Sequence, residues 1–95
     1  MNELKAEYKV PQGKLIRIKY RIDDGKISKI KITGDFFLHP EESIEELESR
    51  LKGLKLEELG LKEAIKDFFE KGYVLVGAEP EDFVTVILKA LKAER

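Results

Sequence analysis

The chain has 95 residues, of which 42% are hydrophobic and 39% are charged, and its formal net charge at pH 7 is -1. These values indicate one small globular domain spanning residues 1–95, and they argue against a disordered chain and against a generally basic nucleic-acid binder. Because the sequence contains no cysteine, a disulfide framework, a thiolate metal site and a cysteine nucleophile are excluded.

Three β-strands are predicted in the first third of the chain. Ala6–Val10 is a first strand, closed by a turn at Pro11–Gly13. In Lys14–Ile22 and Lys26–Thr33 apolar residues alternate with basic ones, which is the period of a strand, and Asp23–Gly25 between them is typical of a tight hairpin. The expected result is an antiparallel meander with one apolar face and one basic face.

Three helices are predicted in the remainder. The first is expected to begin at Pro40, with Glu41 and Glu42 in its first turn, and to stop at Gly53. The second carries an apolar stripe over Leu61–Phe69 and ends before Gly72. The third follows Pro80, and its apolar arc is wide enough to predict burial on more than one side.

Two shorter segments have weaker patterns. Leu54–Leu59 is interpreted as a short helical turn, and Tyr73–Val76 as a brief strand or extended link. A sheet followed by helices predicts the α+β class, with a three-stranded antiparallel meander and about three helices packed on one of its faces.

Charge is unevenly distributed along the chain. Nine Lys or Arg stand against four Asp or Glu in residues 1–33, and nine against fifteen in residues 34–95. A basic surface that faces a partner would explain this distribution. The other explanation is a solvated basic sheet face beside acidic helices, which is the more common reason for such charge runs.

No catalytic set is evident in the sequence. Its one histidine, His39, precedes Pro40 and is interpreted as a residue of the helix entry, and no nucleotide-binding glycine motif is present. Gly13-Lys14 could meet a phosphate, but many hairpin turns have the same pair. Phe36 and Phe37 are adjacent aromatic residues in the link between sheet and helices. Either both are buried, or one fills the core and the other is an exposed anchor for a partner.

Two motifs resemble the C-terminal domain of lipoate–protein ligases. The first is Lys9–Leu15, close to the family pattern K-x-P-G-G-K-L, with Gln12 in place of the first glycine. The second is Ile32–Leu38, which contains the family's I-T-G-D-F-F and is followed by Pro40–Glu42 and Ile44–Glu48. The resemblance covers nearly the whole chain, and the departure at Gln12 is expected to stiffen the turn.

The resemblance implies a fold similar to iron–sulfur scaffold proteins of the SufE and NifU kind, here without the cysteines. It also implies an accessory subunit without an active site of its own, similar to the free-standing small subunits of split ligases in some archaea. A catalytic large subunit would hold ATP, magnesium and lipoate, form lipoyl-AMP and serve lipoyl-acceptor proteins. The segments expected to face that subunit contain Gly13, Lys14, Asp35, Phe36, Phe37 and His39, and this chain alone is expected to bind no cofactor.

The composition predicts where the protein is located and what kind of organism it comes from. No apolar run approaches the length of about 20 residues that spans a bilayer, which predicts a cytoplasmic protein without a membrane partner. The chain has one asparagine, Asn2, and one glutamine, Gln12. Together with abundant Glu and Lys, this composition is typical of proteins from thermophiles.

Two alternative functions stay open, a nucleic-acid-binding module that uses the basic sheet face and a homodimerising domain. Self-association of the isolated chain through a surface meant for its partner also stays open.

Overall fold

A three-stranded antiparallel sheet forms one layer of the molecule. The computed structural model describes residues 3–93, so two residues at each end of the predicted domain lie outside it. The sheet has the order β1-β2-β3, with strands β1 (Glu3–Lys9), β2 (Leu15–Asp23) and β3 (Lys26–Gly34). The hairpin between β2 and β3 turns at Asp24 and Gly25, with φ angles of 56° and 75°. Positive φ at both positions is what a two-residue hairpin requires, which confirms the predicted meander and its turn.

A β-bulge brings Ile27 into phase with the apolar face. Arg21 pairs with Lys29 while Ile22 pairs with Ile27, so Ser28 is the extra residue in β3. Ile27 and Ile30 are three positions apart and would lie on opposite faces of a regular strand, yet both are buried. The inserted residue reverses the alternation once and keeps the apolar face continuous.

Three helices cover the apolar face of the sheet. They are α1 (Ser43–Leu51), α2 (Glu58–Phe69) and α3 (Pro80–Ala93). Gly53 and Gly72 follow the first two helices with φ angles of 87° and 102°, as expected of glycines beyond a helix end. Pro80 opens α3 as predicted. The fold class predicted from the sequence is therefore confirmed.

The first helix begins later than predicted. Residues 40–42 form a turn, in which the N–H of Ser43 donates to the carbonyl of Pro40 at 2.9 Å, and α1 starts only at Ser43. The chain just before the turn is a short strand, β4 (Phe37–His39), followed by a cis peptide bond between His39 and Pro40. The interpretation of Pro40 as the first helical residue is thus wrong, because β4 holds the preceding residues extended.

The segment between α1 and α2 is also different from the prediction. Residues 54–57 are not a helical turn but lie along the outer edge of β3. There the N–H of Ile27 donates to the carbonyl of Leu54 at 2.9 Å, and Lys26 bridges to Lys55. Hydrogen bonds to this free strand edge replace those that a helical turn would make within itself.

A two-stranded ribbon completes the fold. Strand β4 pairs antiparallel with β5 (Val74–Val76), which confirms the extended interpretation of that segment. Each of the two strands has three residues, and α1 and α2 lie between them in the sequence. The pairing places the Phe37 region next to the chain that enters α3.

The core lies between the sheet and the helices. Tyr20, Phe68 and Phe83 are the largest of its fully buried side chains, and α3 packs on β1, β2 and α2. The hydroxyl of Tyr20 donates to the carbonyl of Ile87 at 2.8 Å, which ties the central strand to the central turn of α3. Among residues 3–93 no helix is long and apolar enough to cross a bilayer.

Side chains from the helices cover both outer edges of the sheet. At the β3 edge the carboxylate of Glu48 accepts a hydrogen bond from the N–H of Ile32 at 2.7 Å. At the β1 edge the ammonium of Lys89 donates to the carbonyl of Glu7 at 2.6 Å. Each contact satisfies a backbone group that an edge strand would otherwise present to another chain.

Candidate partner-binding site

The turn between β1 and β2 is held by its own backbone. The N–H of Gly13 donates to the carbonyl of Val10 at 2.8 Å, and that of Val10 to the carbonyl of Lys14 at 3.0 Å. Gln12 has a φ of 60°, a conformation that glycine adopts more easily than glutamine. The structure thus gives a physical reason for the glycine that the related pattern carries at this position.

Gly77, at the end of β5, packs directly on this turn. The N–H of Lys14 donates to the carbonyl of Gly77 at 2.8 Å. A Cβ added at Gly13 would lie 2.5 Å from that carbonyl oxygen, so only glycine permits the approach. Gly77 itself has a φ of 95°, and a Cβ there would meet the side chain of Lys14.

Asp35 connects the second motif to the β1–β2 turn. Its Oδ1 accepts a hydrogen bond from the N–H of Leu15 at 2.7 Å, and its N–H donates to the carbonyl of Leu15 at 3.2 Å. Gly34 has a φ of 150°, and a Cβ at this position would collide with the carbonyl of Leu15. The two motifs, about 20 residues apart in sequence, therefore meet at one end of the sheet.

The two adjacent phenylalanines point in different directions. Phe36 is half-buried and contacts Phe83 edge to face, with ring centroids 5.3 Å apart. Phe37 is 51% exposed. Since successive residues of an extended chain face opposite sides, the extended backbone where the chain enters β4 accounts for this division. The alternative in which both rings are buried is wrong.

The exposed ring belongs to a larger apolar surface, the ribbon patch, formed by Phe37, His39, Val74 and Val76. Phe37 pairs with Val76 and His39 pairs with Val74, so all four side chains share one face of the ribbon. Val74 and Val76 are 50% and 55% exposed, and the His39 ring stacks on Phe37 with centroids 6.2 Å apart. Apart from this patch, Leu59 is the one large hydrophobic side chain of residues 3–93 that is similarly exposed.

The structure places the six predicted site residues near one another but in different environments. Lys14, Asp35, Phe37 and His39 are exposed, and Gly13 and Phe36 are half-buried. His39 lies in β4 and not at a helix start, so the interpretation as a helix-entry residue is wrong. Its ring contributes to the ribbon patch instead.

This site has the features of a contact surface. No group of three metal-binding side chains occurs among the residues described, and the carboxylate of Asp35 already accepts from the backbone of Leu15. These residues do not fit a magnesium site. Together with the ribbon patch they present the exposed ring of Phe37, the exposed side chains of Val74 and Val76, and the exposed ammonium group of Lys14. Exposed aromatic and aliphatic side chains grouped in this way are typical of protein interfaces.

Beside the ribbon, Tyr73 connects β5 to α1. Its hydroxyl donates to the carboxylate of Glu46 at 2.9 Å, and its ring stacks on Phe68 with centroids 4.5 Å apart. The hydrogen bond to Glu46 is the main reason that the pKa of Tyr73 is raised above its ordinary value, because it favours the protonated phenol. The start of β5 is thereby attached to the helical layer.

Three residues of the site were not predicted from the sequence. Val74 and Val76 lie in a segment too short for a reliable strand pattern, and their exposure depends on the pairing with β4. Gly77 has no motif around it. A glycine directly after a short apolar run was the one available signal, since it often marks a close backbone approach.

Comparison with known proteins gives consistent matches. Residues 3–87 match the family model described as bacterial lipoate protein ligase C-terminus. Lipoate-protein ligase A subunit 2 of Thermoplasma acidophilum is 40% identical over 80 residues, which cover 84% of this chain and 82% of that protein. A chain from the solved structures of an archaeal lipoylation system, a bi-partite lipoate protein ligase and its E2 lipoyl domain from Thermoplasma acidophilum, superposes with a TM-score of 0.80. That chain is 36% identical, and the superposition covers 90% of this chain and 93% of that one.

Proposed function

We propose a function from one premise: the chain belongs to the family of lipoate protein ligase C-terminal domains. It acts as the non-catalytic accessory subunit of a two-component ligase. Together with a separate catalytic large subunit it supports the ATP-dependent activation of lipoate to lipoyl-AMP, which precedes transfer to the lysine of a lipoyl domain. The similarity to subunit 2 of the Thermoplasma ligase supports this role.

The observation that carries the proposal is the ribbon patch beside the joined motifs. Phe37, Val74 and Val76 present three half-exposed apolar side chains on one face of a ribbon. Grouped apolar side chains of this kind lose contact with water when a partner covers them. We infer that the large subunit packs on this face, with Phe37 as the central anchor.

Lys14 supplies the charged part of the same contact. Its backbone is held by Gly77 and its side chain is exposed at the end of the sheet where Asp35 and Phe37 also lie. In the assembled ligase the ammonium group faces the adenylation site of the large subunit. There it stabilises negative charge or holds a closed loop in place.

ATP, magnesium and lipoate are assigned to the large subunit. The described part of this chain offers no metal ligand set, and its one histidine contacts Phe37. The chemistry of activation therefore needs residues that this chain does not supply. Because the reaction consumes ATP, we assign the assembled ligase to the cytoplasm.

The test compares two substitutions of exposed apolar residues. In Phe37→Asp a charge enters the proposed interface, and in the matched control Leu59→Asp the same charge enters α2, where Leu59 is 76% exposed. Each variant is co-purified with the large subunit and assayed for lipoate-dependent exchange of ATP and pyrophosphate. We expect Phe37→Asp to weaken the complex at least about 30-fold, and Leu59→Asp to change it less than about twofold.

Three results would contradict the proposal. The first is exchange activity of the large subunit that is the same with and without this chain, which would remove the accessory role. The second is an unchanged affinity of Phe37→Asp for the large subunit, which would show that the interface does not include the ribbon patch. The third is an equal loss in both variants, which would mean that the effect is not local.

A further inference from the structure

The face of the sheet that the helices leave uncovered is strongly basic. Its cations, referred to here as the basic face, are Lys5, Lys9, Arg17, Lys19, Arg21, Lys26, Lys29 and Lys31. Three carboxylates, Glu3, Glu7 and Asp23, lie on the same side. The helical layer on the opposite side holds most of the acidic residues, so the molecule carries opposite charge on its two layers.

Three lysines of this face form one row across the strands. Lys5 pairs with Lys19, and Lys19 pairs with Lys31, so they occupy directly opposite positions on β1, β2 and β3. Neighbouring strands are about 5 Å apart, which puts the Cα atoms of the three lysines within a width of about 10 Å. Like charges at opposite positions destabilise a sheet, and alternating signs would avoid the cost.

Little within the chain neutralises this row. Of the ion pairs that form among residues 3–93, one lies on this face, between Arg17 and Glu7 at 2.9 Å, and it does not include a lysine of the row. Lys19 and Lys31 line two open hollows of about 390 and 370 Å³, one on each side of the row. One glutamate borders each hollow, Glu3 the first and Glu7 the second, and in both hollows it is outnumbered by cations. The surface thus has cations with room beside them for side chains of another molecule.

We propose that the basic face binds an acidic surface of a partner protein, with Asp and Glu side chains entering the hollows beside Lys19 and Lys31. Charge complementarity over several cations would give such a contact fast association and salt-sensitive affinity. The inference is independent of the ligase assignment, because it concerns a different surface from the ribbon patch and is tested without the large subunit.

The structure favours a protein over a nucleic acid at this face. The two tyrosines of β1 and β2, Tyr8 and Tyr20, point toward the helices, so no aromatic side chain on the basic face can stack on a base. The face is also only three strands wide. A long polyanion would extend beyond it toward the acidic helical layer, whereas a compact carboxylate patch would not.

The experiment uses the full chain and two labelled probes in fluorescence anisotropy titrations at low salt. One probe is a hexaglutamate peptide, short enough to lie within the three-stranded face, and the other is a single-stranded oligothymidylate of six nucleotides. The substitution pair Lys19→Glu with Lys31→Glu reverses two charges of the row. The matched control, Lys66→Glu with Lys71→Glu, makes the same change in and just after α2, where both lysines are exposed.

We expect saturable binding of the peptide that weakens as salt is added, at least about tenfold weaker binding after reversal of the row, and less than about twofold change in the control. The pair Lys19→Gln with Lys31→Gln, which is milder for folding, should give an intermediate loss. Absence of saturable peptide binding, or equal losses in the row variant and the control, would overturn the proposal. Tighter binding of the oligonucleotide than of the peptide, lost on reversal of the row, would overturn it in favour of nucleic acid.

Discussion

At Lys14 the backbone and the side chain have separate roles. The backbone N–H is bound to the carbonyl of Gly77, and this contact needs glycine at position 13 because a larger residue would collide with the same carbonyl. The ammonium group at the end of the side chain is exposed. A substitution of the side chain therefore leaves the backbone contact of the turn in place and tests what the side chain contributes.

Because the side chain and the backbone have separate roles, removal of the ammonium group should affect activation more than assembly. Lys14→Ala should lower the rate of lipoate-dependent ATP–pyrophosphate exchange by the assembled ligase at least about tenfold, since a cation near a developing negative charge is worth that much or more. Affinity for the large subunit should change less than about threefold, because the ribbon patch is untouched. Lys71→Ala removes a distant exposed ammonium and is the control. If Lys14→Ala changes neither exchange nor affinity, Lys14 has no part in activation.

The charge pattern of the three-stranded sheet is expected to reduce its stability. In the row formed by Lys5, Lys19 and Lys31, the central lysine has a like charge on both sides. No carboxylate of residues 3–93 forms an ion pair with any of the three. A neutral residue at the centre would remove both repulsions.

We therefore predict that Lys19→Gln increases the free energy of unfolding by about 0.2–1 kcal/mol at low ionic strength. The gain should decrease at high salt, where exposed charges are screened. Chemical denaturation at two salt concentrations measures both effects, with Lys66→Gln as the control. A loss of stability in Lys19→Gln at low salt would show that the row is not repulsive.

Elements with a local pattern could be predicted from the sequence, and elements that depend on distant pairing could not. The alternation in β2 and β3 and the Asp24-Gly25 turn carry their own signal. The ribbon does not, because β4 and β5 have three residues each and are separated by two helices. The start of α1 was misplaced for the same reason, since β4 occupies the residues before Pro40.

The candidate site was predictable in part. The motifs identify Gly13, Lys14 and Asp35, but the choice between Phe36 and Phe37 as the exposed ring required the strand direction of β4. The valines of the ribbon patch and the contact at Gly77 become visible only when β5 is placed beside the β1–β2 turn. Tertiary contacts between segments more than 30 residues apart produce this arrangement, and no local pattern records them.

The hydroxyl of Tyr20 links the two layers of the molecule. It lies in the core and donates to the carbonyl of Ile87 in α3. Burial raises the pKa of Tyr20 from 10.0 to about 12, because the charged phenolate is poorly solvated there. The folded state therefore prefers the neutral phenol more strongly than the unfolded chain does.

The pH dependence follows from that preference. Since the pKa is raised on folding, the contribution to stability is complete below pH 10 and is lost progressively as the pH rises from about 10 to about 12. Its full size is roughly 3 kcal/mol at most. In Tyr20→Phe this loss should be absent, although the variant should be about 1 kcal/mol less stable at neutral pH, where its hydrogen bond is missing. Thermal unfolding of both proteins across this range measures the difference, and parallel curves would contradict the prediction.

The covered sheet edges have a consequence for a subunit that waits for its partner. A small sheet protein made in excess over the protein it joins risks pairing strand to strand with copies of itself and growing into aggregates. With Glu48 on the N–H of Ile32 and Lys89 on the carbonyl of Glu7, a second copy would first have to displace a charged side chain at either edge. An unassembled copy of this chain is therefore expected to resist strand-to-strand association at these two positions.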